Sequence, residues 1–439
     1  MTRAEEIGVI VPEILLPDPS IDLQKWAVIA CDQFTSQPEY WEKVAHFVGD
    51  APSTFHMILP EVWLHSPDIQ DRIRASQQAM WDYLNSGILH PQRGFVLVER
   101  TVHGEVQTGL VVALDLEDYD YHPGAQTLIR ATEGTILDRL PPRMAVRRGA
   151  PLELPHILVL YDDPDQTVLS QVVAQKQQLA PLYDFELMEG SGHLKGWLVS
   201  DPQLTSSVTY NLTSLIEPEN YTRKYGLQDS DHPLLFAMGD GNHSLATAKA
   251  IWEELKPQAE PQHPARFALV ELVNLHDPSL HFEAIHRVLF NVPEGFCDQC
   301  VQHLGEGVYL KPAGSFKEMA EAVAQPPAGV QRLGVLNADG VSLLEIPHPT
   351  QQLAVGSLQR YLDEYLQQNP SVKIDYVHGE EVLTQLSQQD HNIGFYLPAI
   401  PKESFFKTVI LDGALPRKTF SMGHAKDKRF YMECRRIVP

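Results

Sequence analysis

Residues 234–256, LLFAMGDGNHSLATAKAIWEELK, leave a chain little choice of local structure. Leu234 to Met238 is a short apolar run of strand type. Gly239-Asp240-Gly241-Asn242 is turn chemistry. From Leu245 the apolar residues Ala248, Ile251, Trp252 and Leu255 share one helical face, and Pro257 stops the helix. A strand that feeds a helix through so short a turn forces a layered arrangement of sheet and helix. It also leaves unpaired backbone N–H groups at the positive end of a helix, where an anion is favoured. Two readings of the turn stay open. Asn242 or Asp240 caps the helix while the glycines supply positive φ, or the turn is an anion site.

The rest of the chain alternates strand and helix signals. Arg266 to Leu275 (RFALVELVNL) is nearly all apolar, as in a central strand. Gly94–Glu99 and Val106–Leu116 form a hairpin around His103-Gly104, and Gln331–Ile346 a second one across Asn337–Gly340. Helices are expected from Pro38 to Phe47, over Ser66–Leu84, Gln166–Gln178, Phe316–Ala324 and Val355–Gln367, and from Glu380. Strands are expected at Trp26–Ala30, His156–Tyr161, Phe185–Glu189, Leu194–Ser200 and Arg429–Ile437. The expected fold is mixed α/β (α+β) on a mixed sheet. A proline- and glycine-punctuated stretch from Asn291 to Ser315 divides it into two lobes, residues 1–295 and 296–439.

Charge limits the partners. Thirty-four basic residues against 57 acidic ones give a net charge of −23, which opposes extended binding to nucleic acid or anionic lipid. No window approaches the ~18 apolar residues of a membrane span, so a cytoplasmic protein without membrane association is expected. A small anionic ligand remains compatible, because arginines gather locally: Arg130, Arg139, Arg143, Arg147 and Arg148. Such a cluster is either an anion clamp or a solvated basic face. Of the four cysteines, Cys297 and Cys300 form a lone C-x-x-C, weak evidence for a metal. Asp162-Asp163 is read as a turn before Pro164 rather than a Mg²⁺ site. Asp32 ends a strand just before a helix, a common position for a functional acid. His193 stands in a Gly-rich hairpin, where a histidine is more often structural.

Taken together, Asp240-Gly241-Asn242-His243 and the closing Leu415-Pro416-Arg417-Lys418-Thr419 resemble the DUF1015 family of uncharacterised bacterial and archaeal proteins. Two further segments fit that resemblance: Thr132-Glu133-Gly134-Thr135 with Asp138-Arg139, and His286-Arg287. Ala30-Cys31-Asp32 matches an early motif loosely. The turn is also similar, at the level of fold, to the phosphate-binding turn of the ParB/sulfiredoxin superfamily, which includes free-serine kinases. This chain departs from the pattern twice. Ser244 stands where an arginine usual in that turn would be, and Thr132 where a histidine of the family motif would be.

The helix-start turn and the two basic segments lead to the expectation of a nucleotide or phosphorylated metabolite at the turn, and of phosphoryl transfer to a small hydroxylated acceptor such as serine. Gly239, Gly241, Asn242 and Ser244 would hold phosphate, with Arg130, Arg139, Arg417 and Lys418 neutralising it. Asp240, His243, Glu133 and Asp32 are the candidate acids, bases or Mg²⁺ ligands, with ATP/ADP as the expected cofactor. Thr135, Asp138, His193, His286, Arg287 and Thr419 are further candidates. A phosphometabolite phosphatase and a non-catalytic nucleotide or metabolite sensor are the alternatives.

Overall fold

The computed structural model describes residues 6–229, 232–423 and 427–439, which leaves His424 of the closing stretch outside the described residues. The chain divides into two compact units, residues 1–280 with 423–439, and residues 281–422. The sequence reading placed one break, at 295/296. The chain instead leaves the first unit after Leu280 and returns to it for the last 17 residues. The return is made by ladders. Phe430 and Tyr431 pair antiparallel with Ile29 and Val28, and Arg435 and Arg436 with Glu153 and Leu152. Those two-residue strands replace the single strand expected over Arg429–Ile437.

The first unit is built on a mixed sheet of ten strands. In chain order they are β1 (Val9–Ile10), β2 (Phe95–Val102), β3 (Glu105–Asp115), β4 (Tyr119–Asp120), β5 (Ile129–Arg130), β6 (Leu158–Tyr161), β7 (Ala180–Glu186), β8 (His193–Val199), β9 (Phe236–Asp240) and β10 (Phe267–Asn274). Their spatial order is β7-β8-β2-β3-β10-β6-β9-β5-β4, with β1 added beside β3. β6 runs parallel to β10 and β5 parallel to β9, while β6 and β9 are antiparallel. The β2–β3 hairpin turns at His103 and Gly104, both at positive φ (52° and 85°), which matches the right-handed twist of the strands.

Period-two alternation sorts the sheet's side chains into two cores. Phe95, Leu97, Leu110, Val112, Val270, Leu272 and Met238 enter one; Val96, Val98, Val111 and Leu269 enter the other. Every residue of β10 is buried, as its continuous apolar run requires. Helix α1 (Leu140–Arg147) packs on α2 (Asn242–Leu255). Helix α2 sinks Leu245, Ala248 and Trp252 into the first core, each large side chain contributing roughly 1.5–3 kcal/mol by burial. Helix Pro202–Ser214 adds Leu204, Val208 and Leu212 to the same core, and helix Pro218–Tyr225 buries Tyr221 and Tyr225. The helix expected over Gln166–Gln178 is only Ser170–Ala174 followed by a 3₁₀ turn.

The second unit carries a six-stranded sheet that includes the Gln331–Asn337/Gly340–Ile346 hairpin, with the strand His286–Phe290 between Ile393–Tyr396 and Lys373–Val377. Helices Phe316–Ala324 and Ala354–Gln368 bury Met319, Val323, Leu358 and Leu362. No helix among the described residues is long and apolar enough to cross a membrane.

Candidate functional site

Strand β9 delivers Asp240 to the end of the sheet, and Gly241 turns the chain into α2. Gly241 adopts φ 75°, and a Cβ there would stand 3.0 Å from the Ile157 Cα. Both facts require glycine, since an L side chain in the left-handed region costs about 1–2 kcal/mol. Gly241 itself is the N-cap residue, and no side chain caps the helix. The capping reading of Asp240 and Asn242 is therefore corrected, because both side chains are used elsewhere. Asp240 accepts the Gly241 N–H at 2.8 Å and pairs with Lys428 Nζ at 2.9 Å. Asn242 Nδ2 donates to Glu133 O at 3.0 Å and to Thr135 Oγ1 at 3.4 Å. That orientation leaves Asn242 Oδ1 buried without a donor. The N–H groups of Asn242 and His243, at the first two positions of the helix, have no intrahelical partner.

The segment 132–139 is stitched along this turn. Thr132 Oγ1 donates to Met238 O at 2.6 Å, and the Ile136 N–H donates to His243 Nε2 at 3.4 Å. Burial, reinforced by the Arg143 and Arg139 guanidinium groups and opposed by Asp32, lowers the His243 pKa to about 4. At neutral pH His243 is an uncharged imidazole whose Nε2 accepts. Its proton resonances should titrate near pH 4 in an NMR pH series. Because the folded pKa lies below the ordinary histidine value of about 6.5, stability falls as pH drops from 6.5 towards 4. His243→Gln should flatten that part of the pH–stability curve.

A second group of side chains meets the turn from the strand end at His156. Ser244 Oγ lies 2.8 Å from His156 Nε2, and His156 Nδ1 lies 2.9 Å from the Tyr431 hydroxyl, which also accepts the Cys31 N–H at 3.0 Å. Asp32 Oδ2 stands 3.8 Å from His156 Nε2, while its Oδ1 accepts the Gln33 amide. Glu61 pairs with Arg143; burial, aided by Asp32 and opposed by Arg143, raises its pKa. Burial also acts to raise the Asp240 carboxyl, but Lys428, the Gly241 N–H and His156 outweigh it and hold its pKa below the usual carboxylate value. The arrangement combines free backbone donors, one lysine, two nearby arginines, a Ser–His contact and three carboxylates.

Apart from Arg139, whose charge reaches His243, the other sequence candidates lie elsewhere. Arg130 is buried on β5 and spends its guanidinium on Thr127 O and His232 O. Asp138 and Arg139 sit in an exposed 3₁₀ turn before α1. His193 is five strands away from β9, on β8, bridging Asp184 and Glu186 of β7. Burial lowers its pKa, but the hydrogen bonds that the ring donates to those two carboxylates prevail and raise it. His286, Arg287, Arg417, Lys418 and Thr419 belong to the second unit. There the fully buried Arg287 donates to Gln359 Oε1, Ile285 O and Arg417 O, and both it and Arg417 stack on Tyr376. His286 Nδ1 accepts the Leu397 N–H, Lys418 has φ 55°, and Thr419 Oγ1 donates to Pro416 O. These contacts shape the L-P-R-K-T turn itself.

Asp163 accepts from Thr167 and the Val168 N–H, as a turn acid does, and Asp162 is held by Lys224, His276 and Tyr225. Among the described residues no group of three His, Cys, Asp or Glu has metal-cage spacing. The four cysteines are free. Lys428, His156, Tyr431 and Glu61 were not singled out from sequence. They lie outside the turn and the arginine cluster, and the tail is brought here by its ladders to 28–29 and 152–153.

A profile of the family described as "Protein of unknown function (DUF1015)" matches residues 15–397, most of the chain. The chain belongs to the DUF1015 family. The turn and the 132–139 segment lie within the matched DUF1015 range, whereas the L-P-R-K-T closure at 415–419 lies beyond it. No curated protein matches it. Solved structures that resemble this DUF1015 chain include a mutant free serine kinase in complex with ADP (10% identity, 75% of this chain and 92% of that one, TM-score 0.40). Others are a conserved hypothetical protein from Pyrococcus furiosus (10%, 77% and 98%, TM-score 0.36) and C-terminally truncated SbnI from Staphylococcus aureus (9%, 71% and 83%, TM-score 0.35).

Proposed function

We propose that the start of α2 binds the phosphate of a nucleotide or phosphorylated metabolite, and that the site passes a phosphoryl group to a small hydroxylated acceptor. The observation that carries this reading is the convergence at one helix start of groups from five distant segments: Asp32, Glu133–Arg143, His156, Asp240–Ser244 and Lys428. Phosphoryl transfer asks mainly for positioning and neutralisation of charge. The Asn242 and His243 N–H groups and the helix dipole serve the phosphate oxygens. Lys428, with Arg139 and Arg143 near His243, supplies the positive charge that Ser244 cannot. Neutral His243 is suited to hydrogen bonding and does not add a fixed cation. Asp32, with one carboxylate oxygen beyond hydrogen-bond reach of His156, is the carboxylate suited to a metal or a proton. Mg²⁺ needs only one or two carboxylates plus phosphate oxygens, so Asp32 would hold it and the ion would supply further neutralisation.

The test is incubation with Mg²⁺, ATP and a panel of hydroxylated metabolites headed by serine, and in reverse with phosphoserine and ADP. The expected products are the phosphorylated acceptor and, in reverse, ATP. Inorganic phosphate released from the phosphometabolite without ADP would replace this reading by a phosphatase. Saturable binding without product would replace it by a sensor.

A further inference from the structure

The Ser244–His156 contact reaches beyond anion binding. We infer that Ser244 is a nucleophile activated by His156, and that the phosphoryl group passes through Ser244 as a covalent ester before it reaches the acceptor. The inference rests on the phosphoryl-transfer reading above.

Three observations support it. Ser244 Oγ and His156 Nε2 are within hydrogen-bond distance, 2.8 Å. Ser244 is half-buried, on the first turn of α2, beside the unpaired N–H groups of Asn242 and His243. The other ring nitrogen of His156 is engaged by Tyr431, whose hydroxyl accepts the Cys31 N–H. Burial holds that phenol far above its usual pKa, assisted by the Cys31 and Asp32 side chains. With the His156 ring proton on Nδ1, donated to the Tyr431 oxygen, the Nε2 lone pair faces the serine, and this is the tautomer the proposed step uses. Tyr431 thereby fills the orienting role that a carboxylate has in a hydrolase triad. Asp32 Oδ2 stands 3.8 Å from the ring nitrogen that takes the proton.

The steps balance. Ser244 Oγ forms a bond to phosphorus as the bond to the donor's bridging oxygen breaks, and its proton moves to His156 Nε2. That proton leaves on the departing diphosphate. The acceptor hydroxyl then attacks phosphorus, giving its proton to His156. The imidazolium returns a proton to Ser244 Oγ as the serine ester breaks.

An alkyl fluorophosphonate tests the nucleophile without knowledge of the substrate: the Oγ–P bond forms and fluoride leaves. The expected result is one adduct per chain, mapped to Ser244, absent in Ser244→Ala and formed at least tenfold more slowly in His156→Gln. Tyr431→Phe should also slow it. In Ser244→Cys, iodoacetamide should alkylate the introduced thiol faster than in the same variant carrying His156→Gln. A merely structural serine would show neither behaviour. Absence of an adduct at position 244 in protein with native tryptophan fluorescence, or labelling indifferent to His156→Gln, overturns the inference. If ATP still raises the melting temperature in that case, phosphate binding stands and only the covalent step fails. Labelling with no ATP or phosphate binding keeps the nucleophile and removes the phosphoryl reading on which the ester rests.

Discussion

Arg429→Met lowers the stability of the first unit by about 3–5 kcal/mol, because it strands two buried carboxylates at once. Arg429 pairs with Glu271 at 2.8 Å and with Glu433 at 2.9 Å, and all three residues are less than a tenth exposed. Glu433 also accepts the Tyr183 hydroxyl. The sheet makes room for this network at Gly109, where a Cβ would collide with the Glu271 carboxylate. Burial already raises the Glu271 pKa, against the pull of Arg429 and Arg100. Without Arg429 the Glu271 carboxyl rises further above its value in the unfolded chain, so the folded variant binds more protons and its stability falls as pH rises. The deficit is therefore larger at pH 8 than at pH 5.5. Urea unfolding followed by tryptophan fluorescence measures it cleanly. All six tryptophans, at positions 26, 41, 63, 81, 197 and 252, lie in the first unit.

The second large effect is on function. Asp240→Asn reduces the proposed phosphoryl transfer by about 100-fold or more while the fold persists, on the scale of losing one electrostatic element of a preorganised site. The asparagine still accepts the Gly241 N–H, so the turn keeps its shape. It no longer fixes Lys428 by charge, and the ammonium that faces the helix start loses its position. Single-turnover rates at saturating nucleotide separate this from weakened binding. Unchanged rates with a native urea midpoint would remove Asp240 from the mechanism.

The parts of the fold that depend on near neighbours were legible in the sequence. The helix Phe316–Ala324, the Asn337–Gly340 hairpin turn and the strand-turn-helix at 236–255 follow from periodicity and turn residues within a few positions. The site was only half legible. Segment 132–135 carried its own motif, while the turn alone left a helix cap and an anion site both open. Lys428, His156 and Tyr431 gave no local signal, because their roles come from strand pairing across hundreds of residues. Composition misled at Arg130, an arginine in the cluster that satisfies backbone carbonyls. The unit boundary was missed for the same reason: a terminal strand pairing with residues 28 and 29 cannot be read from a linker.

The central claim is that the start of α2 holds a phosphate with help from Lys428. Isothermal titration with ATP, with and without Mg²⁺, tests it most directly on the intact chain and on Lys428→Met. The account predicts saturable one-to-one binding to the wild type, weakened at least tenfold by Lys428→Met and, at fixed pH, by rising salt. Equal affinity of the two proteins, or no binding by the wild type at millimolar nucleotide, would contradict it.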